Sequence, residues 1–151
     1  MPSDRQPRLS ASNVPLTVRL GLAPIGQKRI RHEVAGIAAE LAMKSILTEK
    51  GFVVSDPILS TSYDFITEYD GVVNTVQVRS STHIDTNGYH RILAGDRIGG
   101  YSVLLAHLVP SKETYVIPWN ELTRKWVILH TDRPNRYEKY KENWDLLKEA
   151  H

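Results

Sequence analysis

The chain has 151 residues, a length typical of one domain, and can bury about 68–70% of its unfolded surface. Hydrophobic residues make up 41% and charged residues 24%, a composition that excludes a wholly disordered chain. The absence of cysteine excludes disulfide frameworks and thiolate metal sites. No apolar run approaches the ~20 residues of a spanning helix, and the N-terminus lacks the apolar core of a signal peptide. We therefore expect a cytoplasmic protein that is not embedded in a membrane.

Positive charge is concentrated near the N-terminus, although the formal net charge is only +2. The segment QKRIRH gathers four basic residues, Lys28, Arg29, Arg31 and His32. Further candidates for phosphate contacts lie at His90, Arg91 and Arg97. Such cations suit a polyanionic partner, because each neutralised phosphate releases counterions. An ordinary solvated surface is the competing interpretation.

The first predicted regular element is a helix that follows a proline-rich arm. Residues 1–27 contain four prolines and are expected to form an arm or linker, with VPLTVRLGL at 14–22 as a candidate short strand. Residues 28–50 follow a helical period, and Gly51 is a typical stop signal. The predicted apolar stripe of this helix consists of Val34, Ile37, Ala38, Leu41, Ser45 and Leu47.

Strands are predicted through the middle of the chain, and a second helix at its end. The β-prone segments are GFVVSDPIL, YDFITEY, VVNTVQVRS, YSVLLAHLV, TYVIPW and KWVILH. The dipeptide Asp70-Gly71 favours a tight hairpin turn, whereas the glycine-rich stretch 83–100 shows no strand pattern. Residues 136–150 have Tyr140, Trp144 and Leu147 at helical spacing. The order predicts an α/β (α+β) fold, with an arm at 1–27 and one domain at 28–151.

Three polar side chains are predicted to meet on the hairpin. Side chains alternate across a strand, so Gln77 and Arg79 share one face, ~6.6 Å apart along it. Counting outward from the turn places Asp64 opposite Gln77. Glu40 lies at the edge of the helix stripe, from which a carboxylate can reach over the sheet.

These residue types suit metal-assisted cleavage of phosphodiesters. That reaction needs oxygen ligands for Mg²⁺, a water acidified by the metal and a cation near the developing negative charge. Asp64 and the amide oxygen of Gln77 are the candidate ligands, and Glu40 can bind metal directly or through water. Arg79 is the candidate cation. Mn²⁺ is expected to substitute for Mg²⁺.

The segments AGIAAELAMKSILTEKGFVVSDPILSTSYDFI and VQVRSS together resemble the motif of the PD-(D/E)XK nuclease superfamily. In that motif a helix carries Glu, a strand carries Asp, and the next strand carries Glu, Asp or Gln followed by x-Lys. The chain is most similar to a small branch with Gln at the third position, which includes a homing endonuclease of a bacterial group I intron. TYVIPWNEL and YKENWDLL are similar to the tail of that branch, and the resemblance covers residues 33 to 148.

The resemblance implies a restriction-endonuclease-like core, double-stranded DNA as the partner and a site formed by Glu40, Asp64, Gln77 and Arg79. A long recognition site would exceed the reach of one domain, so we expect a homodimer or homotetramer. Arg79 stands where the motif has Lys, and a guanidinium does not release a proton at useful pH. Lys44, one helical turn from Glu40, is the other candidate for the ammonium.

Two other functions stay open at this point. The same core supports a Holliday-junction-resolving or repair nuclease, and loss of the motif Lys is compatible with an inactive DNA-binding protein.

Overall fold

The computed structural model describes residues 27–59, 61–95 and 100–151, and of residues 27–30 only the backbone. Helix α1 covers Gln27–Glu49, close to the predicted 28–50. The chain divides into two compact units, Met1–Glu33 and Val34–His151, and the fold below is that of the second unit. The predicted arm, its candidate strand at 14–22 and Arg97 lie outside the described residues. The division into an arm at 1–27 and a domain at 28–151 stays a prediction.

Seven strands form two sheets in the described part of the chain. They are β1 Val53–Ser55, β2 Phe65–Tyr69, β3 Val72–Ser81, β4 Tyr89–Leu93, β5 Val103–Leu108, β6 Glu113–Pro118 and β7 Trp126–His130. The larger sheet has the order β1-β2-β3-β5-β6, and β4 pairs with β7 in a two-stranded ribbon. Only the β3–β5 pair among these is parallel, so the central sheet is mixed. The predicted α+β fold with a helix and a mixed sheet is confirmed.

The β2–β3 hairpin turns where the sequence predicts. Asp70 has φ 47° and Gly71 has φ 80°, and two consecutive positive φ angles are the signature of a type I′ turn. Tyr69 pairs with Val72 across this turn, which sets the register of the hairpin. The predicted hairpin is therefore confirmed.

Helix α1 covers one face of the central sheet with a side other than the predicted one. Val34, Ile37 and Leu41 of the predicted stripe are 58%, 59% and 60% exposed. The buried side consists of Ala39, Met43 and Leu47, which pack with Phe65, Val76 and Val78 of the sheet. At 100° per residue, Val34, Ile37 and Leu41 lie roughly 150° from the buried side. Leu47 is buried as predicted, but the rest of the predicted stripe was wrong, because the fit of Ala39 and Met43 to the sheet decides the rotation, not apolarity alone.

The β4–β7 ribbon covers the opposite face of the central sheet. Ile92, Val127 and Leu129 of the ribbon are buried against a group of central-sheet residues, Leu104, Ala106, Tyr115 and Ile117. The stretch 83–100, which shows no strand pattern in the sequence, therefore contains β4. The partner of β4, the strand β7, is distant in sequence. Within β4 the adjacent polar residues His90 and Arg91 hide the alternation of buried and exposed positions.

The C-terminal segment is not the α-helix predicted for 136–150. It forms two short 3-10 helices, Glu138–Tyr140 and Trp144–Lys148. Between them Lys141 pairs with Tyr115 of β6, and Glu142 takes φ 52° and donates its N–H to the carbonyl of Thr114 at 2.7 Å. Pairing with the edge of the sheet is incompatible with a continuous helix. Tyr140, Trp144 and Leu147, which have helical spacing in the sequence, are buried.

His90 lies in the core beneath the ribbon, with 0% exposure, so its predicted contact with phosphate was wrong. Its Nδ1 is 2.8 Å from the hydroxyl of Ser81, which donates its single proton to the carbonyl of His83 at 3.0 Å. Nδ1 is therefore the donor to Ser81. Its Nε2 has no partner in the described structure. Burial and the nearby His83 lower the pKa of His90. The negative charges of Glu113 and Asp85 raise the pKa, but by less than burial and His83 lower it.

We predict that His90 makes the protein less stable in mild acid. Its pKa is lower in the folded than in the unfolded chain, so the unfolded chain binds more protons below about pH 6.5. The free energy of unfolding should fall by up to ~1.4 kcal/mol per pH unit there. Urea unfolding at pH 7.5 and 5.5 should show a smaller loss of the free energy of unfolding in His90→Asn than in wild type. The Asn side chain keeps a donor for Ser81. The exposed His32→Asn serves as the control; equal losses in wild type and His90→Asn would contradict the prediction.

No helix in residues 27–59, 61–95 and 100–151 is long and apolar enough to cross a membrane.

Candidate functional site

Asp64 and Gln77 are brought together by the register of the hairpin. The N–H of Asp64 donates to the carbonyl of Val76 at 2.8 Å, which continues the β2–β3 ladder by one residue. The Oδ2 atom of Asp64 accepts the Gln77 side-chain amide at 2.5 Å and the Val78 N–H at 2.7 Å. The predicted meeting of these two side chains is thus present in the structure.

The environment of Asp64 disfavours an isolated negative charge. Burial raises the pKa of its carboxyl, and the charge of Glu40 adds to this rise. The Val78 N–H and the cations Arg79 and Lys44 act in the opposite direction without cancelling it. A cation that approaches a half-buried carboxylate stabilises its charged form, because the cation replaces hydration that burial has removed.

Gln77 presents its nitrogen, not its oxygen, to Asp64. The side chain is only 5% exposed, and its Nε2 also lies 3.2 Å from the carbonyl of Val78. Both contacts need a donor, so they fix the orientation of the amide. For the predicted role as a metal ligand, the amide has to turn and give up both hydrogen bonds. As it stands, Gln77 orients the Asp64 carboxylate.

Arg79 is exposed and lies beside these two residues at a cavity of about 380 Å³. Its Nη1 is 3.4 Å from the carbonyl of Val78, and its charge lowers the pKa of Asp64. The cavity is lined by Thr61, Ser62, Asp64, Gln77, Arg79, Ala94, Gly95 and Tyr101. Three of the four predicted site residues therefore share one surface.

Tyr101 and the segment Ala94–Gly95 of this wall were not among the predicted site residues. Tyr101 donates its hydroxyl to the carbonyl of Ala94 at 2.6 Å, and burial raises the pKa of the phenol to about 12. Ala94 and Gly95 directly follow β4, which the sequence did not reveal. Recognition of β4 as a strand would have been the signal for this part of the wall.

Glu40 approaches the site from the helix and is paired with Lys44. The Lys44 ammonium is 2.7 Å from Glu40 and 2.5 Å from Asp56. Burial alone lowers the pKa of Lys44, but these two carboxylates outweigh that effect and raise it. Glu40 does not line the cavity, although its charge acts on Asp64. Lys44 is therefore a fixed cation between two acids, and a raised pKa does not favour proton donation.

The oxygen donors fit a hard divalent cation. Both hydrogen bonds to the carboxylate of Asp64 end on Oδ2, which leaves Oδ1 for a ligand role. Glu40 supplies a second carboxylate nearby. Where side chains are described, no group of three or more His, Cys, Asp or Glu can hold a metal. Mg²⁺ keeps several waters and binds through one or two carboxylates together with substrate phosphate, which this donor set matches.

The predicted phosphate-binding residues are dispersed. Arg31 and His32 are exposed, but they belong to the N-terminal unit. The side chains of Lys28 and Arg29, and all of Arg97, lie outside the described residues. Arg91 is exposed on β4, where its Nε is 2.8 Å from Asp85. Among the candidates with described side chains, only Arg91 is both exposed and part of the unit that carries the site, because His90 is buried.

Comparison with solved structures shows which fold the chain shares. No protein-family model matches the chain, and no curated protein matches it. Among solved structures, it is similar to that of a bacterial homing endonuclease, I-Ssp6803I, with 21% sequence identity and a TM-score of 0.66. The similarity covers 82% of this chain and 92% of the other. The chain therefore shares the fold of that homing endonuclease.

Proposed function

We propose that the protein is a Mg²⁺-dependent DNA endonuclease of the PD-(D/E)XK superfamily and of the homing type. The observation that carries the proposal is the convergence of Asp64, Gln77 and Arg79 at one cavity on adjacent strands. The shared fold with a bacterial homing endonuclease supports it. Double-stranded DNA is the proposed substrate.

Each residue has a distinct proposed task. Asp64 holds the metal through Oδ1 while the Val78 N–H and Gln77 fix its Oδ2. Glu40 contributes a second carboxylate, directly or through water, and Gln77 becomes a ligand if its amide turns. Bound Mg²⁺ supplies a Lewis acid at the phosphate and lowers the pKa of a water. Arg79, exposed at the cavity, stabilises the negative charge that develops on the phosphate.

A DNA-binding protein without chemistry is the second candidate. Two observations favour it: Arg79 occupies the position of the motif Lys, and the described part of the chain has no group of three or more His, Cys, Asp or Glu that could hold a metal. Cleavage of supercoiled plasmid with Mg²⁺ or Mn²⁺ separates the two functions. If neither wild type nor Arg79→Lys cleaves with either metal while both bind duplex, the non-enzymatic function is correct.

We predict that Asp64→Asn abolishes cleavage and leaves DNA affinity near that of wild type. The Asn carbonyl can still accept the Val78 N–H and the Gln77 amide, so the fold is kept while the charged ligand is lost. Calorimetric titration with Mn²⁺ should show weakened binding, and Ca²⁺ should support DNA binding by wild type without turnover.

Asp70→Asn is the matched control for Asp64→Asn. It removes the same charge at the far end of the same hairpin, and Asn tolerates the positive φ of that position. Wild-type cleavage by Asp64→Asn would exclude Asp64 as a ligand.

We predict that Arg79, not Lys44, provides the cation for catalysis. Lys44 is already neutralised by Glu40 and Asp56, whereas Arg79 faces the cavity. Arg79→Ala should reduce single-turnover cleavage by about 10²–10³-fold, and Arg79→Lys should retain or raise it. Lys44→Ala should have the smaller effect, and Lys50→Ala serves as a surface control. A more severe loss in Lys44→Ala would assign the role to Lys44.

We also propose that the protein acts as a homodimer or homotetramer. A long recognition site has to be contacted by more than one copy of a chain of 17.1 kDa. Sedimentation with cleaved duplex should give a dimer or a larger symmetric complex. A monomer on its cognate duplex would contradict the homing assignment.

A further inference from the structure

We propose that the outer face of the β4–β7 ribbon binds DNA in the major groove, next to the cavity that contains Asp64. This inference rests on the proposed endonuclease function and adds a recognition surface to it. The proposed ligand of this surface is duplex DNA.

The ribbon separates its side chains cleanly by alternation. Its buried face, described above, packs on the central sheet. On the outer face Trp126 is 49% and Ile128 42% exposed, and the Arg91 position pairs with Ile128. Large apolar side chains left exposed on the outer face of a ribbon indicate an interaction surface.

The concavity beside Trp126 and Ile128 is lined by positive charge, whereas Arg91 on the same face is paired with Asp85. A shallow concavity of about 170 Å³ is lined by Thr123, Arg124, Trp126, Ile128, Arg136 and Tyr137. It therefore contains two guanidinium groups and no carboxylate. Arg136 is held in place, because its Nη1 donates to Thr123 at 2.8 Å and its guanidinium lies 5.7 Å from the ring centre of Tyr137.

A third guanidinium lies at the other end of the ribbon. Arg133 stacks over Tyr89, 5.6 Å from the ring centre, and its Nε donates to His130 Nδ1 at 3.1 Å. Its Nη2 also donates to the hydroxyl of Tyr89 at 3.1 Å. None of these partners is a carboxylate, and Arg133 has no ion pair within the described residues. Its fixed geometry suits a bidentate contact with phosphate or with a guanine edge.

The ribbon begins at the wall of the candidate active site. Ala94, the first residue after β4, lines the cavity of Asp64, and its N–H donates to the carbonyl of Lys125 at 2.8 Å. This bond joins the end of β4 to the start of β7 at the cavity. Five residues of strand extend ~17 Å, the length of about five base-pair steps. DNA held at the cavity therefore has its neighbouring base pairs within reach of the ribbon.

The combination of shape and charge favours DNA over a second copy of the chain. A two-stranded ribbon fits the major groove, which is ~12 Å wide, and arginines can then reach phosphates and base edges. Trp126 and Ile128 offer apolar contact to thymine methyl groups. The core of a protein–protein interface is instead depleted of charge, whereas three arginines frame this surface.

The first test measures the salt dependence of binding to a mixed-sequence duplex of about three helical turns, ~31 base pairs. Arg124→Gln/Arg136→Gln should reduce the slope of log affinity against log salt by about 2, one for each lost phosphate contact. Arg124→Lys/Arg136→Lys should restore the slope, because the charge is kept. Thermal melting of each variant verifies that it is folded.

The matched control removes the same charge on the helix side of the sheet. Lys50 and Lys148 line a cavity beside Trp144, in the layer that packs with α1. Lys50→Gln/Lys148→Gln should leave the slope unchanged. An unchanged slope in the arginine variant, or an equal change in both variants, would overturn the proposal.

The second test locates the contact on the cleaved duplex. Methylation of guanine N7, which blocks the major groove, should interfere with binding within about five base pairs of the cut, and less so for Trp126→Ala. If the arginine variant alters sedimentation of the DNA-free protein while its salt slope stays unchanged, the surface joins copies of the chain and the proposal is wrong. The first test does not depend on cleavage: a wild type whose binding has this salt dependence, but which does not cut DNA, rejects the endonuclease function alone.

Discussion

The register of the β2–β3 hairpin is the constraint on which the candidate site depends. Asp70 and Gly71 both adopt positive φ, which fixes a two-residue turn and hence the opposition of Asp64 and Gln77. A slip by one residue would turn every side chain of β3 to the other face of the sheet. Arg79 would then point toward the helix layer. A turn far from the cavity thus determines which side chains line it.

The two faces of the central sheet have different tasks. One face packs against α1, and its residues Phe65 and Val76 are 0% exposed in the core between them. The other face carries Gln77 and Arg79 and is covered only in part by the ribbon, which leaves the cavity at its edge. Glu40 and Lys44 lie at the border of the buried side of α1, so their charges reach Asp64 while their stems stay near the core. This division lets a polar site sit on a well-packed sheet.

The local features of the fold were predictable, and the non-local ones were not. The turn at Asp70-Gly71, the strands beside it and the meeting of Asp64 with Gln77 follow from alternation within a short segment. The rotation of α1 was not predictable, because Val34, Ile37 and Leu41 are as apolar as the residues that are buried.

Strand β4 was missed because its partner β7 is remote in sequence and because His90, though polar, is buried. The C-terminal spacing of Tyr140, Trp144 and Leu147 fits a helix as well as the observed 3-10 turns. Ala94 enters the cavity wall through the missed strand β4, whereas Tyr101 begins a segment that was predicted as a strand.

The pairing of β4 with β7 also has a consequence for the order in which the protein folds. The hairpin that holds Asp64 and Gln77 closes a two-residue loop, which costs little chain entropy, whereas the ribbon must close a loop that contains both β5 and β6. Contacts between remote segments form slowly, so the ribbon assembles after the sheet on which it packs. The wall formed by Ala94 and Gly95 is therefore completed late. A chain still emerging from the ribosome holds the acidic half of its site before the strand β7 has been synthesised.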